Sequence, residues 1–147
     1  MSVISAMHFP LATLEDTIAL AGRMAAQARP GDVIALQGDL GTGKTEFARA
    51  FIRALVGLPL EVASPTFTLL QTYPSPQGDI WHYDLYRVED PSALRELGLE
   101  EALQNIVLIE WPEKLGDYRM PIAAMLHFVL AADGSRSVDI ESRRDWT

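Results

Sequence analysis

The residues whose types and spacing could do chemistry are Gly38, Asp39, Leu40, Gly41, Thr42, Gly43, Lys44 and Thr45. They satisfy G-x-x-x-x-G-K-[ST]. In that pattern the glycines free the backbone, so that successive N–H groups can turn inward around a phosphate. A lysine at position 44 reaches the β- and γ-phosphates of a nucleotide, and a hydroxyl at position 45 binds Mg²⁺. The context is the one the motif requires. Val33-Ile34-Ala35-Leu36 is an apolar run of strand length, and from Glu46 to Leu55 apolar residues recur at helical spacing (Phe47, Ala48, Phe51, Ile52, Leu55). A helix starting at the loop adds unpaired N–H donors and the positive end of its dipole. Gly38 to Glu46 are therefore the candidate nucleotide-contacting residues.

Such a loop usually works with an acid at the end of a second apolar strand, which positions Mg²⁺ or its water. Two candidates exist. Asp84 follows Ile80-Trp81-His82-Tyr83, and Glu110 follows Ile106-Val107-Leu108-Ile109. The C-terminal edge of a central strand is where α/β sheets bind ligands. Pattern alone does not rank the two acids. Thr66 lies between the loop helix and the next strand, where a γ-phosphate-sensing switch threonine sits in GTPases, although β-propensity alone would also account for it. Trp111 could stack on a base or fill a core. His8, His82 and His127 have no metal-ligand spacing and read as packing or surface residues. The guanine-specifying N/T-K-x-D pattern is absent, which makes ATP (and ADP) the expected nucleotide, and no Ser/His/Asp set supports acyl chemistry.

These residues need strands and helices to hold them. A length of 147 residues suits a single domain, 1–147, and 48% apolar residues suit a buried core. Thr13-Leu14-Glu15-Asp16 opens a helix whose stripe is Ile18, Ala21, Met24, Ala25 and Ala28. A β-rich run through Tyr73, a turn at Pro74 to Gly78 and a strand from Ile80 to Tyr86 imply an antiparallel pair. A third helix is expected from Asp90-Pro91-Ser92 towards Gln104. Ala123 to Leu130 and Ser137 to Glu141 flank Asp133-Gly134, a hairpin signal. Together these predict a three-layer α/β fold of the phosphate-loop NTPase type, with a mixed central sheet between helices.

With 20 acids against 12 bases the net charge is −8, which argues against a domain that wraps nucleic acid by itself. There is no cysteine, so thiolate metal sites are excluded. The first Lys or Arg is Arg23, and the longest uncharged apolar stretch, Met120 to Ala132, is too short to span a bilayer. A cytoplasmic protein with no membrane role is expected.

Beyond the phosphate loop, Ser64-Pro65-Thr66-Phe67-Thr68-Leu69, His82-Tyr83-Asp84-Leu85-Tyr86-Arg87, Leu97-Gly98-Leu99-Glu100-Glu101 and Ile109-Glu110-Trp111-Pro112-Glu113 follow in that order. In this the chain resembles the TsaE (YjeE) family, small bacterial ATPases of tRNA threonylcarbamoyladenosine synthesis, from about Thr13 to the final hairpin. The resemblance implies an ATPase acting with TsaD and TsaB, which reaches tRNA only through their complex. It implies that Thr45 and Glu110 bind Mg²⁺, that Asp84 is the Walker-B-like acid and that Thr66 belongs to a switch-like segment. Trp111 gains a functional role by the same comparison. Arg136, in the last hairpin, is the nearest counterpart of the family's arginine beside the base, with Thr13 and Thr17 as possible base-pocket residues. Thr42 and Glu46 depart from the common Ala and Thr without removing a backbone N–H.

Three functions compete at this stage: a partner-dependent ATPase, a small-metabolite or nucleoside kinase, and a nucleotide-sensing module without catalysis. A kinase normally carries an arginine-bearing lid, and Arg87, Arg95 and Arg119 are scattered.

Overall fold

A computed structural model describes residues 5–58, 61–62 and 68–146. Strands β1 (Ser5–Pro10), β2 (Val33–Gln37), β3 (Leu70–Tyr73), β4 (Ile80–Asp84), β5 (Ile106–Glu110), β6 (Ala124–Leu130) and β7 (Arg136–Ser142) form one sheet. Their spatial order is β1-β7-β6-β2-β5-β4-β3. The middle four, β6-β2-β5-β4, are parallel; β3 pairs antiparallel with β4 on one side, and on the other β7 pairs antiparallel with both β6 and the edge strand β1. The mixed sheet expected from sequence is present. Among the described residues, no helix is long and apolar enough to cross a membrane.

Two helices cover one face. α1 (Leu14–Gln27) begins with a reciprocal cap: the Thr13 hydroxyl accepts from the Asp16 amide, and the Asp16 carboxylate accepts from the Thr13 amide. Its buried stripe is Thr17, Leu20, Ala21, Met24 and Ala25, whereas Ile18, expected on that stripe, is half exposed. α2 (Lys44–Val56) buries the five apolar residues that its spacing marked. Phe47 and Phe51 have no exposed surface and pack among Ile34, Leu36, Leu108 and Leu126. Each such buried side chain contributes about 1.5–3 kcal/mol.

The other face of the sheet differs from expectation. The region from Asp90 to Gln104 is a 3-10 turn (Pro91–Glu96) followed by a single turn, α3 (Leu99–Ala102), with Leu97 and Gly98 between them. Gly98 has φ +64, and a Cβ there would stand 3.4 Å from Trp81, so the chain bends where only glycine is relaxed. The Leu97 carbonyl accepts a 2.6 Å hydrogen bond from the buried Tyr83 hydroxyl, so a tertiary contact uses the group that a continuous helix would have satisfied internally. Short turns suffice here because Leu94, Leu97, Leu99 and Leu115 already seal Val107, Ile109 and Tyr83.

Two further elements escaped the sequence pattern. β1 is an edge strand of alternating half-buried residues, paired to β7 throughout and tied by a 2.6 Å contact between His8 and Asp139. After β7, Arg144 clamps the chain end. Its guanidinium bonds both Asp32 oxygens (3.1 and 2.7 Å) and the Gln27 carbonyl, and lies 3.8 Å from the ring of the fully buried Trp146. Arg144→Ala leaves Asp32 buried without that partner and uncovers Trp146. We expect a loss of about 2 kcal/mol in stability, read as a lower urea midpoint with no change in nucleotide affinity.

Candidate functional site

The phosphate loop links the C-terminal end of β2, in the middle of the sheet, to the start of α2. At its entry, a Cβ on Gly38 would meet the Phe128 carbonyl at 2.6 Å and the Thr42 hydroxyl at 2.9 Å. Only a residue without a side chain lets the loop pass so close to β6. The Thr42 hydroxyl donates to the Asp39 carbonyl at 2.7 Å and braces the turn from inside, so threonine is accommodated at this position. Leu40 points outward and is 65% exposed.

Lys44 is buried in the loop. Its ammonium donates to the carbonyls of Gly38 and of Asp39, the latter at 2.8 Å, and lies 4.4 Å from the centre of the Trp111 ring. Burial lowers its pKa below that of an ordinary lysine, while Glu110, Glu113, Asp39 and Asp84 pull it back up. Burial wins.

The two acids that sequence could not rank stand side by side. In the parallel register of β4 and β5, Asp84 is opposite Glu110, and Glu110 is in turn opposite Leu36, at the end of the strand that feeds the loop. Asp84 and Glu110 are 6% and 2% exposed. Both line one cavity of about 450 Å³ with Gly41, Gly43, Lys44, Thr45, Glu46 and Trp111. The Asp84 carboxylate accepts from the Tyr86 amide at 3.0 Å. The Glu110 carboxylate is 2.7 Å from Nε2 of His82, within the buried interior. Trp111 has a left-handed backbone, φ +61, which turns its indole back over Lys44, and the Tyr86 ring leans against it at 4.9 Å.

A second cavity, about 370 Å³, shares Gly43 and Glu46 with the first. Thr13, Thr17, Thr42 and Arg136 line it, so α1, the loop and the last hairpin converge there. Of the residues singled out from sequence, the structure thus gathers Leu40, Gly41, Gly43 to Glu46, Asp84, Glu110 and Trp111 at one cavity and Thr42 and Arg136 at the other, while Gly38 and Asp39 line neither and hold the Lys44 ammonium through their carbonyls. Thr66 lies outside the described residues.

Sequence reasoning missed three residues. His82 is a direct partner of Glu110 rather than a packing residue. Its position two residues before Asp84, on the same face of β4, was the available signal. Tyr86 and Arg49 line the cavity, Arg49 one turn into α2. Arg87, Arg95 and Arg119 do not line it.

The donors facing this cavity are oxygens: the Thr45 hydroxyl and the Asp84 and Glu110 carboxylates. Among the described residues no group of three or more His, Cys, Asp or Glu is placed to hold a metal ion by itself. That set fits Mg²⁺, which takes one or two carboxylates, keeps several waters and completes its shell from substrate phosphates.

A family model described as "Threonylcarbamoyl adenosine biosynthesis protein TsaE" matches residues 11–139. The tRNA threonylcarbamoyladenosine biosynthesis protein TsaE of Rickettsia felis is 49% identical over 100 residues, 67% of this chain and 58% of that protein. This chain's match therefore spans less than two thirds of that relative. The Bacillus subtilis protein of the same name is 46% identical over 99 residues, 66% of this chain and 61% of its own length. The crystal structure of Bacillus subtilis YdiB superposes with a TM-score of 0.78 at 30% identity, over 97% of this chain and 88% of the other.

Proposed function

This chain belongs to the TsaE family of tRNA threonylcarbamoyladenosine biosynthesis, and from that premise we propose that it is the machinery's Mg²⁺-dependent ATPase, acting with TsaD and TsaB. The observation that carries the reading is the pairing of Asp84 with Glu110 across adjacent parallel strands, in one cavity with Lys44 and Thr45. A phosphate loop alone binds; a loop facing two buried acids has what is needed to hold a metal and aim a water.

The roles follow from chemistry. The loop amides and Lys44 hold the β- and γ-phosphates. The Thr45 hydroxyl and Glu110 would hold Mg²⁺, which would supply charge neutralisation at the phosphates. Asp84 orients the attacking water, its own carboxylate steadied by the Tyr86 amide. The cavity lined by Thr13, Thr17 and Arg136 is the one we assign to the base, and Trp111 lies beside Lys44. Catalysis is positioning plus charge neutralisation. Turnover by the chain alone is expected to be weak, and tRNA is reached only through the partner proteins.

The test is phosphate release from Mg·ATP with and without TsaD and TsaB. We expect slow release alone and faster release with both. ATP binding without turnover in either condition overturns the ATPase reading and leaves nucleotide sensing. Formation of a phosphorylated metabolite along with ADP would instead make the protein a kinase.

A further inference from the structure

We propose that His82 is a positioning residue for Glu110, setting the orientation in which that carboxylate meets Mg²⁺. The inference rests on Glu110 being a metal ligand.

Nε2 of His82 lies 2.7 Å from Oε2 of Glu110, and the two side chains are 2% and 3% exposed. A carboxylate only accepts, so Nε2 carries the proton. Lys44 lines the same cavity, yet its ammonium is bonded to the Gly38 and Asp39 carbonyls and lies against the Trp111 ring. Among the described residues, His82 is therefore the side chain that fixes the Glu110 carboxylate. Holding Oε2 fixes the carboxylate at the wall of the cavity that Glu110 lines with Thr45 and Asp84.

The register explains why this residue can do so. His82 is opposite Leu108 and Asp84 is opposite Glu110. Alternation along the strands puts His82, Asp84 and Glu110 on one face, with the imidazole one step deeper in the sheet than either acid. It supports Glu110 from behind while leaving the cavity side open.

The other ring nitrogen marks the histidine as more than packing. Nδ1 is buried and has no hydrogen-bond partner among the described residues. An unsatisfied polar atom in the interior costs the fold stability, and a leucine or valine would fill the same space without it. The compensation is the Nε2 contact. Orienting partners of this kind typically change metal affinity 10- to 100-fold when removed.

The experiment measures how much Mg²⁺ strengthens ATP binding, as the ratio of calorimetric ATP affinities in Mg²⁺ and in EDTA. His82→Leu is expected to lower that ratio about 10-fold or more while the EDTA affinity stays at the wild-type value. His82→Gln, whose amide N–H reaches where Nε2 stands, is expected to keep most of the ratio. His82→Asn, whose amide stops short at the Nδ1 position, is expected to lose it. The Gln and Asn pair carries the comparison if the leucine variant does not fold. The double variant His82→Leu/Glu110→Ala is expected to be no worse than Glu110→Ala alone, because the histidine acts through the carboxylate. A folded His82→Leu protein with the full ratio, equal behaviour of Asn and Gln, or additive losses in the double variant would overturn the proposal. If Glu110→Ala itself keeps the full ratio, the assignment of Glu110 as ligand fails and this inference falls with it. If Glu110→Ala loses the ratio and His82→Leu does not, only the positioning role fails.

Discussion

Replacing Lys44 with methionine is expected to weaken ATP binding about 100-fold while the ligand-free protein keeps its melting temperature. The loss follows from the contacts that a lysine at this position makes to phosphate, since charge-assisted hydrogen bonds contribute about 1.5–3 kcal/mol each. A loss of about 2.7 kcal/mol is a factor of 100. The retained stability follows from the lowered pKa of Lys44. Burial disfavours its charge by more than Glu110, Glu113, Asp39 and Asp84 restore, so the ligand-free fold gains little from it. Methionine fills the same space beside Trp111 without needing the Gly38 and Asp39 carbonyls. Calorimetric ATP titration and a thermal melt of the same preparation check both halves. Undiminished affinity would remove Lys44 from the phosphate site. A collapsed melting temperature would mean that its role is structural.

Asp84→Asn is expected to cut phosphate release about 100- to 1000-fold with ATP affinity nearly unchanged. Asparagine keeps the shape of the side chain and an oxygen for the Tyr86 amide, which Asp84 accepts at 3.0 Å. What it loses is the negative charge that orients water against the γ-phosphate. The decisive comparison is single-turnover phosphate release against ATP affinity, both in Mg²⁺ and with TsaD and TsaB present. Should affinity fall as far as turnover, Asp84 belongs to the binding shell. Should turnover persist, the water is oriented by Glu110, and the two acids exchange the roles assigned to them.

The contrast between these two variants reflects how the site is divided. Lys44 and Thr45 sit on the loop and the first turn of α2, so their position comes from a single contiguous segment. Asp84 and Glu110 come from separate strands and meet only because β4 and β5 pair in parallel with those two residues in register. A register shift of one residue would send one carboxylate to the opposite face of the sheet. The acidic half of the site thus depends on the hydrophobic alternation of β5, whose Ile106 and Leu108 face α1 and α2 while Val107 and Ile109 face the short turns.

The phosphate loop, α2 with its five buried apolar residues, the Thr13–Asp16 cap and the final hairpin could be read from the sequence because each is local. Glycine spacing, helical period and turn residues act within a few positions of one another. The same local rules expected one helix from Asp90 towards Gln104 and read His82 as a packing or surface residue. Tertiary contacts decided both. Trp81 lies against Gly98 and the Tyr83 hydroxyl takes the Leu97 carbonyl, which breaks the helix, and strand register puts the imidazole on Glu110. The edge strand β1 and the Arg144 clamp on Asp32 were likewise invisible, since their partners are more than 100 positions away. By itself, then, the sequence determined that a strand, a glycine loop of phosphate-binding pattern and a helix follow one another, and which acids were candidates to serve that loop. Only the folded sheet decided which side chains stand together there, because pairing between distant strands is set by the burial of a whole face and not by any motif within one strand.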